Sequence, residues 1–190
     1  MKRSNGFNPM TVKYIQTYNE IFNRMKHGMC NVQLTNSISA NFISQMIPHH
    51  RAAIEMSRNV LRYTNNAELR KIATNIISEQ TKSIENMECI KCACASLSNA
   101  SNDLEKYQNC MNNIIQKMFS EMGNACTTNY ISCNFMWEMI PHHRGAVEMS
   151  ENALKFPICN SLDPILKNII SSQKKGIVEM EKLLKQIGCQ

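Results

Sequence analysis

The chain contains two copies of one sequence, displaced from each other by 93 residues. Residues 41–61 read NFISQMIPHHRAAIEMSRNVL and residues 134–154 read NFMWEMIPHHRGAVEMSENAL, with 14 of 21 positions identical. The same displacement, without gaps, aligns identical residues on both sides: Tyr14 with Tyr107, Met25 with Met118, Met29 with Met122, Gln80 with Gln173 and Met87 with Met180. The duplication predicts two similar units, at residues 10–96 and 103–189, joined by a Ser/Asn-rich stretch.

Each unit is predicted to form three helices. Apolar residues from Tyr14 to Met29 recur at the helical period, and Asn8-Pro9 is suited to start the first helix. No stretch alternates as a strand would, and six Gly and five Pro in 190 residues are too few for a turn-rich β fold. The sequence therefore predicts an all-α bundle of about six helices. Those after the first are expected at about 37–63, 66–94, 104–122, 129–156 and 163–187.

Two adjacent histidines lie on the apolar face of the second helix of each unit. On a helical wheel His49 and His50 flank Met46, and Met56 aligns with His49 two turns away. Two buried imidazoles are costly unless they are hydrogen-bonded or bind a metal. Their repetition in one chain favours a metal site in each unit over ordinary core histidines.

Methionines supply the other candidate ligands. The pool for the first site is Met46, His49, His50 and Met56, with Met25, Met29 and Met87 across the bundle. The pool for the second is Met139, His142, His143 and Met149, with Met118, Met122 and Met180. Gln80 and Gln173 interrupt the apolar stripe of the third helix in each unit. Because a buried amide needs a partner, each is expected to hydrogen-bond a histidine ring and orient it.

These residues resemble the motif of the family known as domain of unknown function 305. Members of that family carry a Met-Ile-Pro-His-His segment, a later Gln, and a Met seven residues beyond it. Here those residues are Met46 to His50 with Gln80 and Met87, and Met139 to His143 with Gln173 and Met180. The resemblance implies a ferritin-like antiparallel helical bundle. It also implies a link to copper, since some members are associated with copper binding and copper resistance.

Ligand softness favours Cu(I) or Ag(I), because thioether sulfur and imidazole nitrogen suit these ions. The core stripes show no carboxylate, and the Glu-x-x-His pattern of di-iron bundles is absent, which argues against iron chemistry. The leading hypothesis is a Cu(I)-binding protein for copper buffering or detoxification. One alternative is a helical scaffold without metal, held together by His–Gln networks, and another is an enzyme that uses the histidine pair as acid and base.

Cysteines follow a different pattern from the histidines and methionines. Nine are present, and none lies at equivalent positions in the two copies. With no visible secretory signal, the sequence favours a cytoplasmic protein whose cysteines are mostly reduced thiols. The expected partner is a metal ion, homo-oligomerisation is left open, and nothing indicates nucleic-acid binding or a membrane span.

Overall fold

The computed structural model describes residues 6–189, which form six α-helices and no strand. The helices are α1 (Pro9–Cys30), α2 (Ile38–Leu61), α3 (Ala67–Ala95), α4 (Ser101–Gly123), α5 (Ile131–Ala153) and α6 (Asp163–Gln186). The predicted all-α class is confirmed. None of the six helices has an apolar stretch that would cross a lipid bilayer.

Side-chain caps fix the starts of the three helices of the first copy. Asn8 accepts a hydrogen bond from the backbone N–H of Thr11, and Pro9 follows at the first helical position. Ser37 caps α2 and Asn66 caps α3 in the same manner. These polar side chains satisfy N–H groups that the helix itself leaves unpaired, so each helix begins close to its predicted residue.

The two copies fold alike and pack against each other through their second and third helices. Within each copy the second helix contacts the other two, and between copies α2 packs on α5 and α3 on α6. Internal contacts repeat in detail. Asn59 donates from Nδ2 to the Tyr14 carbonyl at 3.1 Å, and Asn152 donates to the Tyr107 carbonyl at 3.1 Å. The helices that carry the histidine pairs, α2 and α5, therefore face each other at the centre of the molecule.

Four of the nine cysteines are paired in disulfides. Cys94, at the end of α3, is bonded to Cys159 in the loop before α6, and Cys133 at the start of α5 is bonded to Cys189. Their Cα atoms lie 5.2 and 6.0 Å apart, the separation that a disulfide requires. The other five are free thiols. Most of the cysteines are therefore free thiols, as predicted, but the two bridges were not expected, and the first one ties the two copies together.

Loss of the Cys94–Cys159 bridge is expected to destabilise the protein. The bridge closes a loop of 65 residues, and constraining the unfolded chain over that length contributes about 2–4 kcal/mol. The double variant Cys94→Ala, Cys159→Ala should lower the free energy of unfolding in urea by that amount. Cys110→Ala is the matched control, because its thiol is free. An unchanged unfolding midpoint in the double variant would contradict the prediction.

Candidate metal centre

Four imidazoles meet where α2 crosses α5. The rings of His49 and His142 are stacked, with centroids 3.6 Å apart and planes inclined by 28°. His50 and His143 follow them directly in sequence, and all four side chains are at most 2% exposed. From the sequence we predicted one histidine pair in each copy, with each pair forming a separate metal site. The structure instead brings both pairs into one cluster between the copies.

Reciprocal hydrogen bonds fix the two stacked rings. Nε2 of His49 donates to the carbonyl oxygen of His142, and Nε2 of His142 donates to the carbonyl of His49, both at 3.2 Å. A carbonyl has two lone pairs, so it accepts this bond in addition to its helical one. Because Nε2 carries the proton, the lone pair of each neutral ring is on Nδ1.

Burial keeps the four rings neutral. It lowers the pKa of His50 to about 3 and that of His142 to about 4, since there is little solvent to stabilise an imidazolium ion. Burial also lowers the pKa of His49 and His143, and the neighbouring imidazoles add to the effect. A neutral imidazole is the form that binds a metal, so all four rings hold a lone pair at physiological pH.

In the first copy the histidine pair is internally hydrogen-bonded. Nδ1 of His50 lies 3.5 Å from Nδ1 of His49, and Nε2 of His50 lies 3.1 Å from the hydroxyl of Ser83. From the sequence we expected Gln80 to hydrogen-bond this ring and orient it, but Ser83 makes that bond. Both amide atoms of Gln80 lack a hydrogen-bond partner among the described residues. Ser83 is one turn along α3 from Gln80, so the helix face was identified correctly and the residue was not.

In the second copy the equivalent nitrogens are free. Nδ1 of His142 and Nδ1 of His143 have no partner among the described residues, nor does Oε1 of Gln173. The residue equivalent to Ser83 is Gly176, which has no side chain to offer. The two copies therefore present the same histidines in different states, one pair bonded within the protein and the other with lone pairs available.

All the methionines proposed as ligands are buried in the hydrophobic core. They are at most 2% exposed: Met25, Met29, Met46, Met56 and Met87 in the first copy, and Met118, Met122, Met139, Met149 and Met180 in the second. A methyl group at Gly145 would overlap the sulfur of Met118, so this thioether packs against α5 one turn after His142. In the first copy the equivalent residues, Met25 and Ala52, line one surface cavity.

No three His, Cys, Asp or Glu side chains between residues 6 and 189 are arranged to hold one metal ion. The donors that remain in this core are methionine thioethers and pairs of imidazole nitrogens. That donor set suits a soft ion with a low coordination number and does not suit Zn²⁺ or iron.

A buried carboxyl group was missed in the sequence. Glu138 is 4% exposed, although the core stripes appeared free of carboxylates. The hydroxyl of Tyr14 donates to its Oε2 at 2.5 Å, across the junction of the two copies. Burial raises the pKa of Glu138 to about 8, so it is mostly protonated at neutral pH. The helical wheel predicts that this position is buried. Glu138 is equivalent to Gln45, which lies 20° from Met56 on the buried face of the helix.

Comparison with known proteins shows that the chain matches one family. The profile described as "Domain of unknown function (DUF305)" matches residues 39–184. A DUF305 fragment from Deinococcus radiodurans has a TM-score of 0.57 at 19% identity, covering 78% of this chain and 96% of its own, which shows a shared fold. No curated protein matches the chain.

Solved structures of CopM are also similar. The Ag-bound form obtained by soaking is 27% identical, with a TM-score of 0.58, and the match covers 82% of this chain and 98% of that one. The Cu(I)-bound form is 26% identical, with a TM-score of 0.56, and the match covers 81% and 98%. A Cu(II)-bound form matches at 26% identity and a TM-score of 0.58, over 82% and 99%.

Replacing the buried carboxyl group should change the pH dependence of stability. The folded pKa of Glu138 is raised to about 8 from 4.5, so its stabilising protonation is complete below 4.5 and is lost as pH rises to 8. Glu138→Gln keeps an acceptor for Tyr14 and should raise the free energy of unfolding at pH 8 by about 1–3 kcal/mol, with little change at pH 4. Gln45→Glu, the reciprocal change, should introduce the opposite trend. Equal stability of Glu138→Gln and wild type at pH 8 would contradict this account.

The buried histidines should make the metal-free protein acid-sensitive. Their folded pKa values are lowered, to about 3 for His50 and about 4 for His142, from 6.5. The contribution of these neutral rings to the free energy of unfolding is complete above pH 6.5. It is lost as pH falls toward 4 and 3, because the unfolded chain then binds more protons than the folded one. Urea unfolding between pH 7 and 4 in a Glu138→Gln background should show this decline. His27→Gln, which changes an exposed ring, should leave the slope unchanged, whereas His50→Gln should reduce it.

Proposed function

The chain belongs to the DUF305 family, and we propose that it binds a soft monovalent ion, Cu(I) or Ag(I), and so buffers or detoxifies copper. The observation that carries the proposal is the state of the second histidine pair. His142 and His143 are buried and neutral, each ring keeps one lone pair, and Nδ1 of each has no partner among the described residues. Unpaired buried polar atoms are costly, so a ligand that accepts these lone pairs stabilises the fold.

The surroundings of these nitrogens favour a soft ion. Met118 sulfur lies against α5 one turn from His142, and the other candidate methionines share the same core. Glu138 is the buried carboxyl group of α5, and at neutral pH it is mostly protonated and bonded to Tyr14. Thioether and imidazole without carboxylate is a donor set for Cu(I) or Ag(I). CopM, similar in fold and sequence, was solved with Ag, Cu(I) and Cu(II).

Burial suits holding an ion better than transforming a substrate. The four imidazoles are almost fully enclosed, and none of them lines the cavity of about 640 Å³ beside Trp137 and Tyr130. The lowered pKa values of His50 and His142 also make these rings weak bases near pH 7. An ion enclosed in this core would be kept from solvent, which supports buffering or detoxification over acid–base catalysis.

The disulfides favour one kind of cellular compartment for this protein. Two bridges, Cys94–Cys159 and Cys133–Cys189, favour an oxidising compartment over the cytosol expected from the sequence. In such a compartment thiols pair and are lost as ligands, whereas thioethers cannot form disulfides. A copper site built from Met and His remains functional there.

A metal-free scaffold is the second candidate, and one observation favours it. Nε2 of His49 and Nε2 of His142 are both used to bond the opposite copy, so these rings contribute to packing whether or not a metal is present. Packing and metal binding use different nitrogens of His142. Packing uses Nε2 and leaves Nδ1 free for a metal.

Cu(I) binding is tested by anaerobic competition against a chelator of known affinity. Free thiols are alkylated first, so that they do not contribute. Wild type should retain at least one Cu(I) per chain, and the variant Met118→Leu, Met139→Leu should bind roughly 10–100-fold more weakly, since Leu fills similar volume without sulfur. Met111→Leu, Met136→Leu is the matched control, because both side chains are buried methionines outside the proposed ligand pool.

A second pair of variants tests the imidazoles. His142→Ala, His143→Ala should abolish tight binding, whereas His27→Ala, which removes an exposed ring, should not. Failure of wild type to compete with a weak chelator would exclude the copper function and leave the scaffold. If the ligand variants and the controls bind equally well, the ion binds elsewhere.

A further inference from the structure

The two copies differ at the residue that faces the second histidine of each pair. In α3 the hydroxyl of Ser83 lies 3.1 Å from Nε2 of His50 and caps that nitrogen. The equivalent residue of α6 is Gly176. A Cβ atom built on Gly176 would lie 3.1 Å from Nε2 and 3.0 Å from Cδ2 of His143. The edge of the His143 ring therefore faces bare helix backbone where its counterpart faces a hydroxyl group.

A small cavity reaches His143 at this position. Its volume is about 20 Å³, and Gln173 and Gly176 line it together with the imidazole. His143 and Gln173 are each 2% exposed, and Nδ1 of the first and Oε1 of the second lack partners among the described residues. One atom-sized ligand needs about 10–15 Å³ of such space. The cavity therefore admits a single ion or water beside two buried polar side chains that need a partner.

A groove on the surface adjoins the cavity. A groove of about 370 Å³ runs between α3 and α6, and it shares Ile72, Asn75 and Glu179 with the small cavity. Together the two are lined by three carboxylates and three ammonium groups: Glu68, Glu79, Glu179, Lys71, Lys175 and Lys182. This balance of charge neither attracts nor repels a monovalent cation strongly. The group that selects the ion along this route is therefore the imidazole of His143 at its inner end.

We propose that a soft monovalent metal ion reaches the histidine cluster through the gap beside Gly176 and binds Nε2 of His143 first, with the ring proton on Nδ1. In the first copy Ser83 occupies the matching position and bonds His50. The two copies therefore have different roles, with the first pair structural and the second pair accessible to the ion. This inference rests on the proposed function, since it assigns the path and the receiving atom for the same ion.

The chain itself supplies the matched variants. Gly176→Ser installs the residue of the first copy and should cap His143, and Ser83→Gly installs the residue of the second and should expose His50. Gly176→Ala separates filling of the gap from hydrogen bonding, because it adds a methyl group without a hydroxyl. Far-UV circular dichroism and the thermal midpoint establish that each variant folds.

The experiment is a titration of the full chain with Ag(I), observed through the ¹⁵N resonances of labelled histidine rings. Disulfides are left intact and free thiols are alkylated. In wild type the Nε2 resonance of His143 should move at lower Ag(I) than any resonance of His50. Gly176→Ala and Gly176→Ser should weaken this response roughly 10–100-fold, and in Ser83→Gly the ring of His50 should respond as His143 does.

The possible results separate the route from the function. If His50 and His143 respond together in wild type, or if Gly176→Ala responds as wild type does, the gap is not the route and this inference is overturned. A response confined to His142 would likewise overturn it, while the proposed function would stand. If no ring nitrogen responds in any variant, the proposed function itself fails.

Discussion

The stacked pair His49 and His142 is the contact on which the arrangement of the two copies depends. An imidazole in an apolar core must be neutral and must satisfy its N–H group. Each of these rings meets both conditions by donating to the carbonyl of the other copy at 3.2 Å, so neither copy alone can satisfy its own histidine. This requirement joins α2 to α5 directly, fixes the tautomer of both rings, and sets where the remaining lone pairs point. The lone pairs that remain for a ligand follow from how the packing uses one nitrogen of each stacked ring.

Much of the fold was predictable because its signals are local or repeated. The caps at Asn8, Ser37 and Asn66 and the apolar period of each segment define helices within a few residues. The duplication transfers every assignment from one half to the other. What could not be predicted depends on contacts between the copies, since a helical wheel gives a face but not the helix opposite. For that reason the histidine pairs were expected in two sites and lie in one cluster, and Gln80 was chosen where Ser83 makes the bond.

Glu138 shows the limit of arguing from one copy to the other. Its equivalent, Gln45, is neutral and buried, and the pair is one of the positions at which the two motifs differ. The substitution places an ionisable group in the core, where the Tyr14 hydroxyl stabilises it and burial raises its pKa to about 8. The same comparison, read for differences instead of identities, would have found Glu138 as well as Ser83 and Gly176. In a duplicated protein the aligned positions that disagree indicate where the copies have taken separate roles.

Under the proposed function, that separation lets one chain keep a stable core and bind an ion. A histidine with both nitrogens bonded inside the protein stabilises the fold but offers no lone pair, and His50 is in that state. A histidine with free nitrogens offers lone pairs but leaves buried polar atoms unpaired, at a cost of about 1–3 kcal/mol each. With two copies the chain can place the first arrangement in one and the second in the other. The stability supplied by the first pair then offsets the cost of leaving His142 and His143 ready for a ligand, and binding of the ion recovers that cost.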